Sequence, residues 1–329
     1  MRNLWLGILL VATLLTACHY QPSNNKYVVG IINPNPNLES VVDGFRETLS
    51  GMAQRDGKEV IYIQPPYSRL SDIDRAINEI KEQNIDLILT STSPAAIRAK
   101  ELLKGSDIPI VFAPIYDPIR IGLVDKLVGH GGNITGVKNG GSNPKALEWL
   151  LTIAPNIKRI LVPFSDKASA EKFSLSDLQQ AANKIGVELV IAKVDTRDDL
   201  KHVLEHLPKK IDALWLLHST FLVPNSDLYI ASAIKHKIPV SSGTSQPEAG
   251  VMVSYGQNHE KTGRQAGRLA YQILTGVPPA DLPIETADFF LGINLVTAKA
   301  AGVHIPYEVL LQAQEIIRNG DGRNDQAKP

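Results

Sequence analysis

The feature that most constrains this chain is a repeated switch of hydrophobic period. Short β-rich apolar runs alternate with stretches whose apolar residues recur every three or four positions. Tyr27 to Ile32 is followed by the set Val41, Phe45, Leu49 and Met52, then by Val60 to Ile63, then by Ile73, Ile77 and Ile80 behind a Ser71 cap. The alternation continues through Asp86 to Leu89, Ile108 to Ala113, Arg159 to Val162, Val187 to Ala192, Asp212 to Leu217, Ile238 to Val240 and Val251 to Val253. Such a pattern predicts an α/β fold with doubly wound parallel sheets covered by helices on both faces.

A weak internal repeat divides the pattern in two. Asp86-Leu87-Ile88-Leu89, a helix and Ile108-Pro109-Ile110-Val111 match Asp212-Ala213-Leu214-Trp215, a helix and Ile238-Pro239-Val240. Two lobes are therefore expected, and 329 residues are enough for two domains. Between the halves, Gly131-Gly132-Asn133-Ile134-Thr135-Gly136-Val137 and Asn139-Gly140-Gly141-Ser142-Asn143-Pro144 are dense in glycine and read as the hinge.

The two ends read differently from the body. Arg2 and the apolar run Leu4 to Leu15 have the shape of an export signal, too short for a membrane span of about 20 residues. Leu15-Thr16-Ala17-Cys18 resembles the lipobox of bacterial lipoproteins and contains the one cysteine of the chain. Cys18 is the expected lipidation site, and multiple acyl chains make a stable anchor. Residues 1–18 would then be a signal peptide, 19–26 a polar tether, and 318–329 a disordered tail. With no second cysteine, an exported domain must be held by its hydrophobic core. Lysine plus arginine equals aspartate plus glutamate at 34 each, so no global field favours nucleic acid.

In open α/β sheets ligands collect at the carboxyl ends of strands, where helix N-termini point into the crevice. Candidate residues therefore follow each strand: Asn33; Ser93 and Pro94; Tyr116 and Asp117; Phe164 and Ser165; Ser219 and Thr220; Thr244; and Asn258. Ser93 followed by Pro94 suits both a helix cap and a carboxylate seat, while Asp117 can cap a helix beginning at Pro118 or touch a ligand. All but Phe164 and Pro94 carry polar side chains suited to directed hydrogen bonds with a small molecule. No Walker loop, Gly-x-Ser-x-Gly elbow, His-Glu-x-x-His or paired-cysteine motif is present, so a binding function is expected, without catalysis, metal or cofactor. His202 and His206 lie four apart, but Asp198, Asp199 and Lys201 mark a solvated face; Trp149 and Trp215 fall in apolar runs and read as core.

From Tyr27 to Ile317 the chain resembles the ABC transporter substrate-binding family typified by tryptophan and tyrosine binders, with the type I periplasmic-binding fold. The resemblance rests on Asp43-Gly44-Phe45, Thr92-Ser93-Pro94-Ala95-Ala96, Asp117-Pro118 with Gly122-Leu123-Val124, Gly131 to Val137, Gly263-Arg264-Gln265-Ala266-Gly267 and Ile293-Asn294-Leu295. It implies lobes of 27–138 plus about 257–290 and of 139–256 plus about 291–317, joined by three crossovers around an interlobe cleft. It further implies a carboxylate at the Ser93-Pro94 helix start, with Asn33, Tyr116, Asp117 and Phe164 nearby, and an ABC permease and ATPase as partners. The protein would be exported and lipid-anchored at a bacterial membrane. Two positions depart from the family: His218-Ser219-Thr220 stands where Thr-Asp-Asn is frequent, and Asn258 where aspartate is frequent. A competing expectation is a lipoprotein of the same fold that engages a protein or cell-wall partner.

Overall fold

The computed structural model describes residues 25–66 and 70–319. The signal peptide, Cys18, nearly all of the tether and nearly all of the tail lie outside these residues. In chain order the first group of elements is β1 (Lys26–Ile32), α1 (Glu39–Arg55), β2 (Glu59–Ile63), α2 (Ile73–Lys81), β3 (Leu87–Thr90), α3 (Ser93–Leu102), β4 (Ile110–Ile115) and β5 (Ile134–Lys138). The second group is α4 (Asn143–Ile153), β6 (Arg159–Phe164), α5 (Ser169–Ile185), β7 (Glu188–Lys193), α6 (Arg197–Glu205), β8 (Ala213–Leu216), α7 (Ser226–His236), β9 (Val240–Ser242) and β10 (Val253–Gln257). Then come α8 (His259–Leu274), β11 (Glu285–Thr286), β12 (Phe289–Asn294), α9 (Leu295–Ala301), α10 (Tyr307–Leu310) and β13 (Glu315–Ile317).

The strands form two sheets, β11-β5-β4-β3-β1-β2 and β13-β12-β10-β9-β8-β6-β7. Every pairing is parallel except β10 with β12. The expected α/β fold of two doubly wound, mostly parallel lobes is thus the fold observed. The period of two explains why helices cover both faces of the first sheet. Val29, Ile31, Leu87, Leu89, Val111 and Ala113 bury on one side with α1 and α8. Ile32, Ile88, Ile110 and Phe112 bury on the other with α2 and α3. A strand buried on both faces has no room for polar alternation, which is why these segments read as continuous apolar runs.

The chain passes between the sheets three times, at residues 139–142, 258 and 287–288. The glycine-rich stretch read as one hinge is in fact two structures. Ile134–Lys138 is a strand, paired with β4 and β11, and only the residues after it leave the sheet. Gly136 sits within that strand because a Cβ there would stand 2.2 Å from the Phe112 carbonyl oxygen. It is a close-approach glycine inside a strand, and composition does not separate that from a bend. Several strands also run one to four residues further than their apolar cores. Thr90, Ser242 and the segment Ser254 to Gln257 continue the ladders with polar side chains.

Two glycines in the quoted motifs have a packing role. A Cβ at Gly44 would lie 2.1 Å from the Glu260 carbonyl oxygen, and one at Gly263 2.0 Å from that of Val41. The glycines let α1 and α8 touch backbone to backbone, which seats the start of α8 firmly on the first lobe.

Candidate functional site

A cavity of about 730 Å3 lies between the lobes, within the range of small-molecule sites. The first lobe contributes Pro34, Asn35, Leu38, Thr92, Ser93, Pro94, Pro114 and Tyr116, the second Lys167, Ala168, Ser169, Ala170, His218 and Thr220, and the crossover Asn139. Its walls are the ends of β1, β3, β4, β6 and β8, where parallel strands hand over to helices.

Two helices open into it. The first intrahelical bond of α3 runs from the Ala96 amide to the Thr92 carbonyl, 3.2 Å, so the amides of Ser93 and Ala95 precede the ladder. Ser93 was expected as the cap. The cap position is instead Thr92, which stands at φ 75 and makes no capping bond, with Ser93 and Pro94 inside the first turn. A β-branched residue at positive φ is strained, and such strain concentrates where a backbone is held for a ligand. The Thr92 hydroxyl is buried without a partner. On the opposite wall α5 begins after Ala168, again with no side-chain cap, and its first bond joins the Lys172 amide to the Ala168 carbonyl. Both helix starts therefore direct partial positive charge at the cavity.

The remaining polar groups are few. Tyr116 donates its hydroxyl to Asp177 of α5 at 2.9 Å, and its ring lies 5.5 Å from that of His218. Burial, reinforced by the Asp177 charge, holds the Tyr116 phenol well above its ordinary range, so it stays a neutral donor. Desolvation, with repulsion from His259, pushes His218 down to about 4, so the ring lining the cavity is uncharged at neutral pH. Among the described residues Lys167 is the only charged lining side chain; its Nζ donates to the Asp195 carbonyl at 2.6 Å.

Of the residues proposed from sequence, Ser93, Pro94, Tyr116 and Thr220 line the cavity. Asn33 stands just behind the wall, where it accepts from the Ser91 hydroxyl and the Asn35 amide and donates to Glu39. Asp117 accepts from the Ile119 and Arg120 amides and from Arg120 Nε, capping a turn over residues 118–122 where a helix was expected. Phe164 packs on the core of the second lobe, and Ser165 is buried. Ser219 accepts from the Phe221 and Leu222 amides. Thr244 shares a hydrogen bond with Ser242 at 2.9 Å, and Asn258 caps α8 by accepting from the Lys261 amide at 3.0 Å. These last six groups shape loops and lie outside the cavity lining.

Sequence reasoning passed over Lys167 and the start of α5, and it also missed Glu171. That carboxylate is buried on the first turn of α5, accepts from the Ser165 amide and the Ser219 hydroxyl, and is raised by burial. It ties the ends of β6 and β8 together under the cavity. In the sequence it resembles any acidic residue in a helix's first turn.

Among the described residues no helix is long and apolar enough to cross a membrane, and no three potential metal ligands cluster. His202 and His206 stack at 4.6 Å, with His206 Nδ1 against the His202 carbonyl.

Two parallel-sheet lobes enclosing a small-molecule cavity between helix starts define a solute-binding protein. The chain belongs to the ABC transporter substrate binding protein family, whose pattern it matches over residues 28–317. It is 28% identical over 256 residues to the tyrosine-binding protein of Clostridioides difficile (strain R20291), covering 77% of this chain and 74% of that one. An uncharacterized protein of Rickettsia prowazekii (strain Madrid E) is 23% identical, with 88% of each chain covered. Among solved structures, an ABC domain from Streptococcus pneumonia in complex with L-Trp shares the fold at TM-score 0.76 and 24% identity, covering 90% of this chain and 100% of that one. A ligand-free, open substrate binding protein with adhesive properties from Clostridium difficile is 26% identical at TM-score 0.72, covering 86% and 96%.

Proposed function

We propose that this protein captures a small carboxylate-bearing organic solute outside the cytoplasm and delivers it to an ABC permease driven by an ATPase, while a lipid on Cys18 holds it at the membrane. The observation that carries the reading is the interlobe cavity with a helix start on each wall. Ser93, Pro94, Tyr116 and Thr220 are the proposed ligand contacts. Asn33, Asp117, Phe164, Ser165, Ser219, Thr244 and Asn258 support them by fixing the loops. Lobes near 27–138 plus 257–290 and 139–256 plus 291–317 close on the solute, and closure draws on contacts that both walls make together.

Relatives named for tyrosine binding and for an L-Trp complex support amino-acid-sized cargo. The alternative, a lipoprotein that engages a protein partner, draws support from the relative with adhesive properties. The open cavity between lobes favours solute capture over it.

The test is a thermal-shift screen of the detergent-solubilised full chain against amino acids, aromatic acids, nucleosides, sugars and small peptides. A ligand at 100 times its dissociation constant stabilises by about 2.7 kcal/mol. A hit establishes capture, whereas silence across the panel from a folded sample transfers the weight to the protein-partner reading. Cys18→Ser is expected to release the protein from the membrane fraction; unchanged membrane attachment and acylation count against the anchor.

A further inference from the structure

We infer that the cavity selects an organic anion that lacks an ammonium group: a monocarboxylate with an apolar body, such as a 2-hydroxy acid, in preference to the matching amino acid. The inference rests on the interlobe cavity being the solute site.

Its basis is the charge inventory of the walls. Among the described lining residues there is one cation, Lys167, and no carboxylate. Lys167 is exposed at the rim, and its Nζ meets a backbone carbonyl rather than an acid. The carboxylates on neighbouring elements are already engaged. Glu39 accepts from Asn33, Asp177 from Tyr116 and Arg120, and Glu171 from Ser165 and Ser219. None of these three lines the cavity.

Apart from the unpartnered Asn139 Oδ1, a neutral acceptor, the groups that are left favour negative charge. The starts of α3 and α5 face the cavity from opposite lobes without side-chain caps. The hydroxyl of Thr92 is buried there with no partner. His218 makes no hydrogen bond among the described residues, and as a neutral imidazole it has an N–H to donate. Leu38, Pro34, Pro114 and Ala170 offer an apolar floor beside them. A carboxylate thus finds amides, a hydroxyl and a lysine. An ammonium finds no counter-charge and stands near a like charge, which costs heavily in a partly dry site.

The test uses probes that share one body and differ in one group: indole-3-lactate, L-tryptophan and tryptamine, then 3-phenyllactate, L-phenylalanine and phenethylamine. Binding to the detergent-solubilised full chain is measured by calorimetry at low salt. At least one hydroxy acid is expected to bind tenfold or more tighter than its amino acid, and the amines are expected to give no heat. Lys167→Met, at an exposed position, is expected to weaken the hydroxy acid about tenfold, and Thr220→Asp to reverse the preference by supplying the missing carboxylate. Amino acid or amine binding as tight as that of the hydroxy acid overturns the inference while leaving solute capture intact. So does binding of only neutral sugars or nucleosides from the wider panel. Silence from every probe, sugars and nucleosides included, overturns both.

Discussion

The starts of α3 and α8 look alike in the sequence, yet they do opposite things. Each follows a buried strand, carries a small polar residue at the turn and opens a helix. At α8, Asn258 bonds the Lys261 amide, and the first turns lie against α1, with Gly44 facing the Glu260 carbonyl and Gly263 that of Val41. At α3, Thr92 is strained and uncapped, and the turn faces an open cavity. A helix start becomes a binding site only when its amides have been left unanswered, and the folded arrangement decides this more than the local sequence does.

The largest effect is expected from closing the start of α3 in cis. Ser93→Asp places a carboxylate where the proposed ligand group sits, so anion affinity should fall about 100-fold, or about 2.7 kcal/mol. The helix itself should gain a few tenths of a kcal/mol from the macrodipole. Calorimetry and thermal melting separate the two; undiminished affinity would mean that α3 is not the seat.

The histidines beside the two starts give the next effect. His218 is lowered to about 4 and His259 is also lowered, in both cases chiefly by desolvation. Below the unfolded value near 6.5 the unfolded chain binds more protons than the folded one. Stability is therefore complete above that pH and is lost as pH falls toward 4. For His218 alone the loss is at most about 2 kcal/mol at pH 5. Denaturant melts between pH 7 and 5 should show the decline shrinking in His218→Gln, and an identical decline in that variant would contradict the assignment.

The smallest effect sharpens the contrast from the other side. Asn258→Ala removes a cap and should cost about 1 kcal/mol of stability. Solute affinity should stay within twofold of the parent, because Asn258 lies outside the cavity lining.

The sheets were legible because burial on both faces leaves an unmistakable run such as Leu87-Ile88-Leu89. The strand over Ile134 to Lys138 was hidden by glycine, since a residue that admits the Phe112 carbonyl looks like one that bends the chain. The α3 wall was legible from Pro94 among hydroxyls. Most other strand-end candidates are engaged in their own loops, and a hydroxyl such as that of Thr244 does not announce in sequence that Ser242 has claimed it. Lys167 and Ala168 escaped notice because their importance comes from facing α3 across the gap, a relation with no local signature.

The contacts of Tyr116 and Arg120 with Asp177 have a kinetic meaning. They join the two walls beside the cavity, so any parting of the lobes during solute exchange must break them. Exchange should then be set by the lifetime of a half-exposed ion pair. Added salt, which screens such pairs, would quicken the parting of the walls and shorten residence time.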